Sequence, residues 1–251
     1  MQFIAKRQKV CYNTNIIYQR GEVMDKYLQI VNSKNPYNKE DFRDFQYVSG
    51  IDVNFPDKGE VAFIEKETYD SYLELKAHLK SKKIPCSLNS AGRSVKAQEL
   101  TQQEMFDAYL AKYEKEHSHE EAILLAQKEV EDTVMKPGNS EHHTGLAIDV
   151  SPKLYGKNVI TKLIAKRYNA KNATLHYKYI DEIAPQYGFV VRYTAENSGS
   201  TGVHRPEPWH LRYVGKEHAQ EIAKRMKQNP KYSLEEYVAE LTRLDNSNVG
   251  L

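Results

Sequence analysis

The chain has 251 residues, of which 36 are basic and 34 acidic, so its formal net charge at pH 7 is only +2. This length allows one large domain or two small ones with a substantial core, and the balanced charge gives no reason to expect nucleic acid or a membrane surface as a partner. Its two cysteines, Cys11 and Cys86, exclude a disulfide scaffold, although a single bond between them stays open.

Residues 1–27 show mixed polarity without a clear period, which predicts an N-terminal extension lying on the domain that follows. Residues 1–9 are basic, but they lack the apolar stretch that a signal peptide requires. No run of apolar residues in the sequence is long enough to span a membrane.

Two short strands and a helix are predicted next. Residues 47–53 and 60–64 have strand character and flank a Pro-Asp-Lys-Gly turn at 56–59. Apolar residues from about Glu67 to Ser81 fall on one side of a helix. That side consists of Tyr72, Leu75 and Leu79, with Tyr69 towards its edge. Cys86 lies in the apolar run that follows and is predicted to be a small core residue.

Residues 95–135 are predicted to be helical, and a capping box of Ser118 and Glu121 starts a second helix. Pro137 and Gly138 end that helix. We expect the two helices to pack against a sheet and to cover its cleft. Their apolar positions are Met105, Tyr109, Leu110 and Tyr113 in the first helix and Ala122, Ala126, Val130 and Val134 in the second.

The stretch after Asp149 is lysine-rich and loop-like over 151–172, with a short helix predicted over 158–167. A helix beginning near Leu175 is expected to end at Gly188, because glycine is common at helix ends. Residues 189–193 then have the character of a strand.

The C-terminal part begins with a loop over 194–205, rich in Ser, Gly and Asn, which predicts a mobile lid. His204 of this loop either lines a substrate groove or, as is commoner for a loop histidine, is simply exposed. Helices are predicted over 216–227 and after a cap formed by Ser233 and Glu236.

Residues suited to chemistry concentrate in Ser140–Asp149 and in Glu207–His210. Residues 146–150 alternate with the two-residue period of a strand, so Asp149 lies on the face opposite Leu146, Ile148 and Val150. His142 comes just before, on the approaching loop. Pro208 favours an extended conformation at Glu207, and residues 209–214 predict another strand, with His210 on the face opposite Trp209 and Leu211. Two strand beginnings can therefore meet in one cleft.

This set of side chains suits zinc, which takes histidine nitrogen and carboxylate oxygen and, when catalytic, keeps three protein ligands and one open position. We assign His142, Asp149 and His210 as ligands and Glu207 as a free base. The alternative is that these are ordinary surface or hydrogen-bonded histidines, of which the chain has nine in all. The combined pattern favours the ligand assignment.

The motif Ser140-x-His142-x-x-Gly145-x-Ala147-x-Asp149, followed by Glu207-Pro208-Trp209-His210, resembles the signature of the VanY-type D-alanyl-D-alanine carboxypeptidases. These are zinc peptidases that trim bacterial cell-wall peptides, with LD-carboxypeptidases among their relatives. The resemblance runs from about Leu28 to Leu241. It implies an α+β fold with one domain over 28–251, in which a mostly antiparallel sheet carries a single zinc ion and helices pack around it, as in the hedgehog signalling domain.

The resemblance also implies substrate-binding residues. Arg93 matches the family's arginine, whose guanidinium can hold a terminal carboxylate through two parallel hydrogen bonds, and Gln98 matches its spacing. Ser140 and Trp209 are further candidates to contact the peptide. Each has an alternative: a surface ion pair for Arg93, a turn or cap for Ser140, the core for Trp209. His143 is the main rival for metal coordination and is predicted to support the site or contact substrate instead. Gly92 departs from the family's usual aromatic, so that wall of the pocket is predicted to be open or rebuilt.

The implied function is removal of a C-terminal D-alanine from peptidoglycan stem peptides. An LD-carboxypeptidase acting on tetrapeptide stems and a non-catalytic zinc-stabilised binding module are the alternatives. Glu207 favours the enzyme, and Arg93 favours exo-cleavage over an endopeptidase. The family implies an extracellular or wall-associated enzyme, whereas the sequence shows no signal peptide. A removed export signal, another export route and work in the cytoplasm all stay open.

Overall fold

A computed structural model describes residues 25–54, 60–84, 86–151, 153–154, 157–158, 171–203 and 205–249. The strands are β1 (Tyr47–Ser49), β2 (Phe63–Glu65), β3 (Ser87–Ser90), β4 (Ala147–Ser151), β5 (Lys153–Leu154), β6 (Lys157–Asn158), β7 (Phe189–Val191) and β8 (His210–Tyr213). The α-helices are α1 (Lys66–Ser81), α2 (Val95–Tyr113), α3 (His119–Thr133), α4 (Lys171–Ile183), α5 (Ser198–Thr201), α6 (Lys216–Gln228) and α7 (Leu234–Val249). Short 3-10 helices cover Lys26–Leu28, Lys39–Phe42, Glu141–Thr144 and Ala184–Tyr187.

The central sheet has four antiparallel strands in the order β3-β4-β8-β7. Two smaller antiparallel pairs, β1 with β2 and β5 with β6, lie outside it. The predicted α+β class with a mostly antiparallel sheet is confirmed. The middle strands β4 and β8 place Asp149 directly opposite His210, so the sheet's register sets the position of the site.

One face of the sheet covers the main apolar core. Leu146, Ile148 and Val150 point into it from around β4, and Leu211 joins them from β8. The predicted face of α1, formed by Tyr72, Leu75 and Leu79, is buried against the same core. A second core gathers around α6, α7 and Leu28. The alternation along β4 therefore leaves Ala147 and Asp149 on the opposite face, as predicted.

Several predicted elements are shorter or different in the structure. β1 ends at Ser49, short of residue 53, because Gly50 has a φ of 77° and the amides of Gly50 and Ile51 both donate to the carbonyl of Ala62. The region predicted as a loop after Asp149 contains the paired strands β5 and β6. Trp209 lies just before β8 rather than within it.

The helix pair α2–α3 packs on itself. The predicted capping box is present, with the Ser118 hydroxyl accepting from Glu121 and the Glu121 carboxylate accepting from Ser118. Its buried apolar side chains Ala97, Ala122, Ala126 and Val130 belong to neither apolar core, and the predicted apolar face of α2 is only half-buried. The expectation that this pair packs against the sheet is therefore wrong.

Some predictions fall outside the described residues: Cys11, the turn at 56–59, the helix over 158–167 and His204. Of the predicted extension over 1–27, only residues 25–27 are described, and Tyr27 is buried in the main core. Cys86 is half-buried against that core, as predicted. Among the helices of the described ranges, none is long and apolar enough to cross a membrane.

Candidate active site

His142, Asp149 and His210 converge at one point on the polar face of the sheet. His142 Nε2 lies 3.5 Å from Asp149 Oδ1, and His210 Nδ1 lies 3.3 Å from the same oxygen. One ligand atom from each residue lies within 4.8 Å of the others. The sheet register accounts for the pair Asp149 and His210, since directly opposite residues of antiparallel strands bring their side chains together.

His142 reaches this point from the short 3-10 helix Glu141–Thr144, rather than from the loop that the sequence predicts. The Ser140 hydroxyl caps this helix by accepting from the amide of His142. Gly145 ends it with a φ of 72°. A Cβ at Gly145 would lie 2.8 Å from the Tyr47 ring, so both the backbone angle and the close packing require glycine here.

Hydrogen bonds fix which ring nitrogens face the centre. His142 Nδ1 lies 2.7 Å from the carbonyl oxygen of Ala91; because that oxygen only accepts, Nδ1 carries the proton and leaves the Nε2 lone pair facing Asp149. His210 Nε2 lies 3.3 Å from Glu141 Oε2, which leaves its Nδ1 towards Asp149. Both imidazoles therefore turn their remaining ring nitrogen, Nε2 of His142 and Nδ1 of His210, to the same space.

The chemistry of the donor set suits a divalent metal ion. Asp149 Oδ1 is buried and has no hydrogen-bond partner of normal geometry within the described residues. Ligand bonds of about 2.0–2.1 Å in a tetrahedron imply ligand atoms roughly 3.3 Å apart, and the two nitrogen–oxygen separations given above match that value. Nitrogen, nitrogen and oxygen are also the ligand atoms that zinc takes in catalytic sites.

The charges at the centre favour a cation. Burial lowers the pKa of His142, so its ring is neutral at pH 7. Burial acts the same way on His210, but the Asp149 and Glu141 carboxylates outweigh it and raise the pKa of His210 to about 9. The two histidines in turn outweigh the effect of burial on Asp149 and hold its pKa well below its usual range. A bound metal ion would replace the extra proton of His210.

Glu207 lies beside this centre without joining the cluster of three ligand atoms. Its backbone amide donates to the carbonyl of Tyr193, and its Oε2 is 3.9 Å from His210 Nδ1. Burial raises the pKa of Glu207 to about 7, a rise that His210 opposes and Asp149 reinforces. The side chain keeps 25% of its surface exposed, so it can reach a molecule in the cleft. A carboxyl group with a pKa near 7 is suited to proton transfer at neutral pH.

Glu141 is a functional residue that was not predicted from the sequence. Its carboxylate is fully buried, accepts from Arg192 and Arg212 through Oε1, and faces His210 through Oε2. Burial alone would raise the pKa of Glu141, but the two guanidiniums hold that pKa well below its usual range. A charged residue between Ser140 and His142 in an apparent loop gives no periodic signal of burial. Its place inside the metal-binding motif was the one sequence feature that could have pointed to it.

Arg93 lies next to the centre, its amide donating to the carbonyl of His142. Its Nε is buried and has no hydrogen-bond partner in the part of the chain that the structure describes. Ser140 is buried in its capping role. Trp209 is half-buried, and its carbonyl accepts from the amide of Val150.

Gln98 and His143 have structural contacts. Gln98 has no exposed surface, and its amide donates to the carbonyl of Met135, in the connection that leads from α3 towards Ser140. His143 accepts from the amide of Gly138 through Nε2, so its Nδ1 carries a proton and donates to the carbonyl of Arg93. Both ring nitrogens of His143 are thus occupied, which removes it as a rival ligand.

Steric crowding explains why position 92 is a glycine, where the family usually has an aromatic residue. Gly92 and Phe63 exchange backbone hydrogen bonds, and a Cβ at Gly92 would lie 2.5 Å from both the ring and the carbonyl oxygen of Phe63. The space beside residue 92 is therefore filled by Phe63, so this wall is rebuilt rather than left open.

A family comparison agrees with this geometry. The model of the family described as VanY D-alanyl-D-alanine carboxypeptidase matches residues 62–216, which is more than half of the chain. The chain belongs to the VanY family. The matched range contains both motifs and Arg93.

Two relatives share parts of this VanY-family chain. YodJ of Bacillus subtilis, named as a predicted carboxypeptidase, is 28% identical over 78% of this chain and 61% of its own length. The D-alanyl-D-alanine carboxypeptidase of Enterococcus faecalis is 36% identical over 48% of this chain and 38% of its own length. The chain thus spans less than two thirds of the length of either relative.

Solved structures show the same fold. A vancomycin-resistance D,D-pentapeptidase VanY in complex with Zn(II) is 26% identical, with a TM-score of 0.59, over 85% of this chain and 99% of that one. VanYB in complex with D-alanine-D-alanine gives the same identity, 26%, and TM-score, 0.59, over 86% and 98%. The LD-carboxypeptidase LdcB is 25% identical, with a TM-score of 0.57, over 90% of this chain and 93% of that one.

Proposed function

We propose that this chain is a zinc-dependent carboxypeptidase that removes the C-terminal D-alanine from peptidoglycan stem peptides. The observation that carries the proposal is the convergence of His142, Asp149 and His210 with the free carboxylate of Glu207 beside them. A VanY solved with Zn(II) and one solved with D-alanine-D-alanine support the metal and the substrate class. Such a substrate would place the working enzyme at the bacterial cell wall.

In this proposal His142 Nε2, Asp149 Oδ1 and His210 Nδ1 hold one zinc ion. A zinc ion held there would supply an acidified water as nucleophile and a positive charge to polarise the scissile carbonyl. Glu207 takes a proton from the attacking water and later gives it to the leaving amine. Its position next to His210 and its partial exposure allow both transfers. A pure binding module has no need of this carboxylate, which is why we favour the enzyme.

Arg93 selects the end of the peptide. Its guanidinium is unpaired at Nε within the described residues, next to the metal loop, so it can hold the terminal carboxylate and present only the last bond. Ser140 and Trp209 stay proposed as further peptide contacts, with the Ser140 hydroxyl buried and accepting from the amide of His142 and Trp209 half-buried. Gln98 acts indirectly, because it is fully buried and holds the connection to Ser140 through Met135.

An LD-carboxypeptidase is the second candidate. LdcB has nearly the same structural similarity as VanY, and Phe63 fills the space next to Gly92, at the position where we expected the family's aromatic side chain. We therefore propose that the wall next to Arg93 is where the two substrate classes are distinguished.

A mass-spectrometric digest separates the candidates. Zinc-loaded protein is incubated with a pentapeptide ending in D-Ala-D-Ala and with a tetrapeptide ending in one D-Ala, and metal-stripped protein serves as the control. Zinc-dependent loss of one alanine from the pentapeptide alone is the expected result. Loss from the tetrapeptide would assign the LD class. If neither peptide shortened while zinc stayed bound, the enzyme proposal would fail in favour of a binding module.

Arg93→Ala is expected to lower kcat/KM for a pentapeptide with a free C-terminus by roughly 30-fold or more, because loss of a charged hydrogen-bonded partner costs about 2 kcal/mol or more. Cleavage of the amidated peptide, which offers no carboxylate, should change little. The ratio of the two rates is the measurement, with Arg43→Ala, an exposed arginine paired with Asp44, as the matched control. An unchanged ratio in Arg93→Ala would rule out the clamp.

A further inference from the structure

Four charged side chains, three of them fully buried, form a cluster behind the metal ligands. We call Glu141, Arg192, Arg212 and Glu235 the ion cluster. Glu141 Oε1 accepts from Arg192 Nε at 3.0 Å and from Arg212 Nη1 at 3.1 Å. Arg192 turns its other two nitrogens to Glu235, at 3.0 and 2.5 Å. Two guanidiniums and two carboxylates thus balance each other in charge, with Glu141, Arg192 and Arg212 buried and Glu235 keeping 19% of its side chain exposed.

The ion cluster holds the Glu141 carboxylate in one orientation. Arg212 is anchored by donating to the backbone carbonyls of Tyr27, Gln29 and Tyr213 as well as to Glu141. Arg192 is anchored by the two-pronged contact with Glu235, and such bidentate pairs add geometric specificity. Since Oε1 takes both arginine donors, Oε2 is left to face His210.

That oxygen governs how His210 meets a metal ion. Glu141 Oε2 lies 3.3 Å from His210 Nε2 and can only accept, so it requires a proton on Nε2 and leaves Nδ1 for coordination. A carboxylate on the far nitrogen of a ligating histidine fixes the ring's orientation and raises its basicity. Glu141 itself is not one of the three candidate ligands.

We propose that Glu141 is a positioning residue for zinc binding through His210, and that Glu235 of helix α7 supports it through Arg192. Glu235 lies outside the residues 62–216 that match the family, so the proposal extends the support of the metal site into the C-terminal helix. The inference rests on the proposed function only in taking zinc as the ion that His210 binds.

The first test is Glu141→Gln, which preserves size. The glutamine oxygen must take over the two arginine donors, so its NH2 group would face the Nε2 proton of the ligating His210, donor against donor. The dissociation constant for zinc, measured by competition with a chelating dye, is expected to rise by roughly 10–100-fold. Thermal unfolding of the metal-free variant reports its folding. A destabilised variant with wild-type zinc affinity would overturn the inference, because the role of Glu141 would then be structural.

A second test does not require the Glu141 variant to fold. In ¹⁵N NMR spectra of the zinc-loaded wild-type chain, His210 should be bound through Nδ1 and carry its proton on Nε2. Coordination through Nε2 would overturn the inference directly. This measurement uses no substrate, so it stays informative whatever the peptide digest gives.

The outer member of the ion cluster offers a matched pair of variants. Glu235→Gln removes the charge that holds Arg192, whereas the neighbouring Glu236→Gln changes an exposed residue that accepts from the amide of Ser233 at the start of the same helix. We expect about a 10-fold loss of zinc affinity for Glu235→Gln, at the lower end of the range for such partners, and none for Glu236→Gln. Equal affinities in the two variants would remove Glu235 from the proposal.

The two proposals fail differently. A wild-type chain that binds zinc, responds to Glu141→Gln, and shortens neither peptide would keep the positioning role and lose the carboxypeptidase function. If the wild-type chain shortens the pentapeptide but the Glu141 and Glu235 variants bind zinc as tightly as the wild type, the carboxypeptidase function stands and the positioning role is lost.

Discussion

Glu207→Gln is expected to lower kcat for release of D-alanine by roughly 10²–10⁴-fold while zinc affinity stays within a few-fold of wild type. The amide keeps the size of the side chain but cannot take up a proton from water. Zinc should be retained because the three ligand atoms come from other residues, and Glu207 Oε2 stands 3.9 Å from the nearest histidine nitrogen.

The measurement combines steady-state release of D-alanine at saturating zinc with metal content by elemental analysis. Glu196→Gln is the matched control, since Glu196 is an exposed glutamate in the same connection before Glu207. Full activity of Glu207→Gln would show that another group moves the proton. Loss of zinc together with activity would make Glu207 a ligand instead of a base.

The parts of the site that the sequence predicted are those that follow from strand periodicity. The alternation around Ala147–Ser151 sets the face on which Asp149 lies, and the same rule sets the face of His210. Both assignments agree with the apolar core on the opposite face. What periodicity cannot provide is register: only the folded sheet shows that Asp149 and His210 stand directly opposite each other.

Contacts between distant segments were not predictable in the same way. Glu141 is buried because Arg192 and Arg212, about fifty and seventy positions later, neutralise it, and a single sequence carries no sign of such a pairing. The close approach of Phe63 to Gly92 depends on the same kind of contact. For helices α2 and α3, the apolar positions were predicted correctly from the sequence. The surface against which those positions pack was not.

His210→Ala is the second variant with a large expected effect, and the property that it should change is zinc binding. Removing one of three ligands should cost more than removing a partner behind a ligand, which costs roughly 10–100-fold in affinity. We therefore expect the dissociation constant for zinc to rise by more than about 100-fold, with loss of zinc during dialysis and loss of hydrolysis. The fold should survive, because Glu141 keeps Arg192 and Arg212 as partners when the imidazole is gone.

The control for this variant is His78→Ala, which removes a histidine that contacts Tyr179 and Tyr187 away from the metal ligands. Zinc content after dialysis and far-UV circular dichroism are measured for both. Retained zinc in His210→Ala would contradict the assignment of His210 as a ligand. An equal loss of zinc in His78→Ala would also contradict it, since the effect would then not be specific to His210. We expect the His210 variant to be folded, free of zinc and inactive, and the His78 variant to keep its metal. That result would show that hydrolysis depends on the metal site formed where β4 and β8 place His210 opposite Asp149.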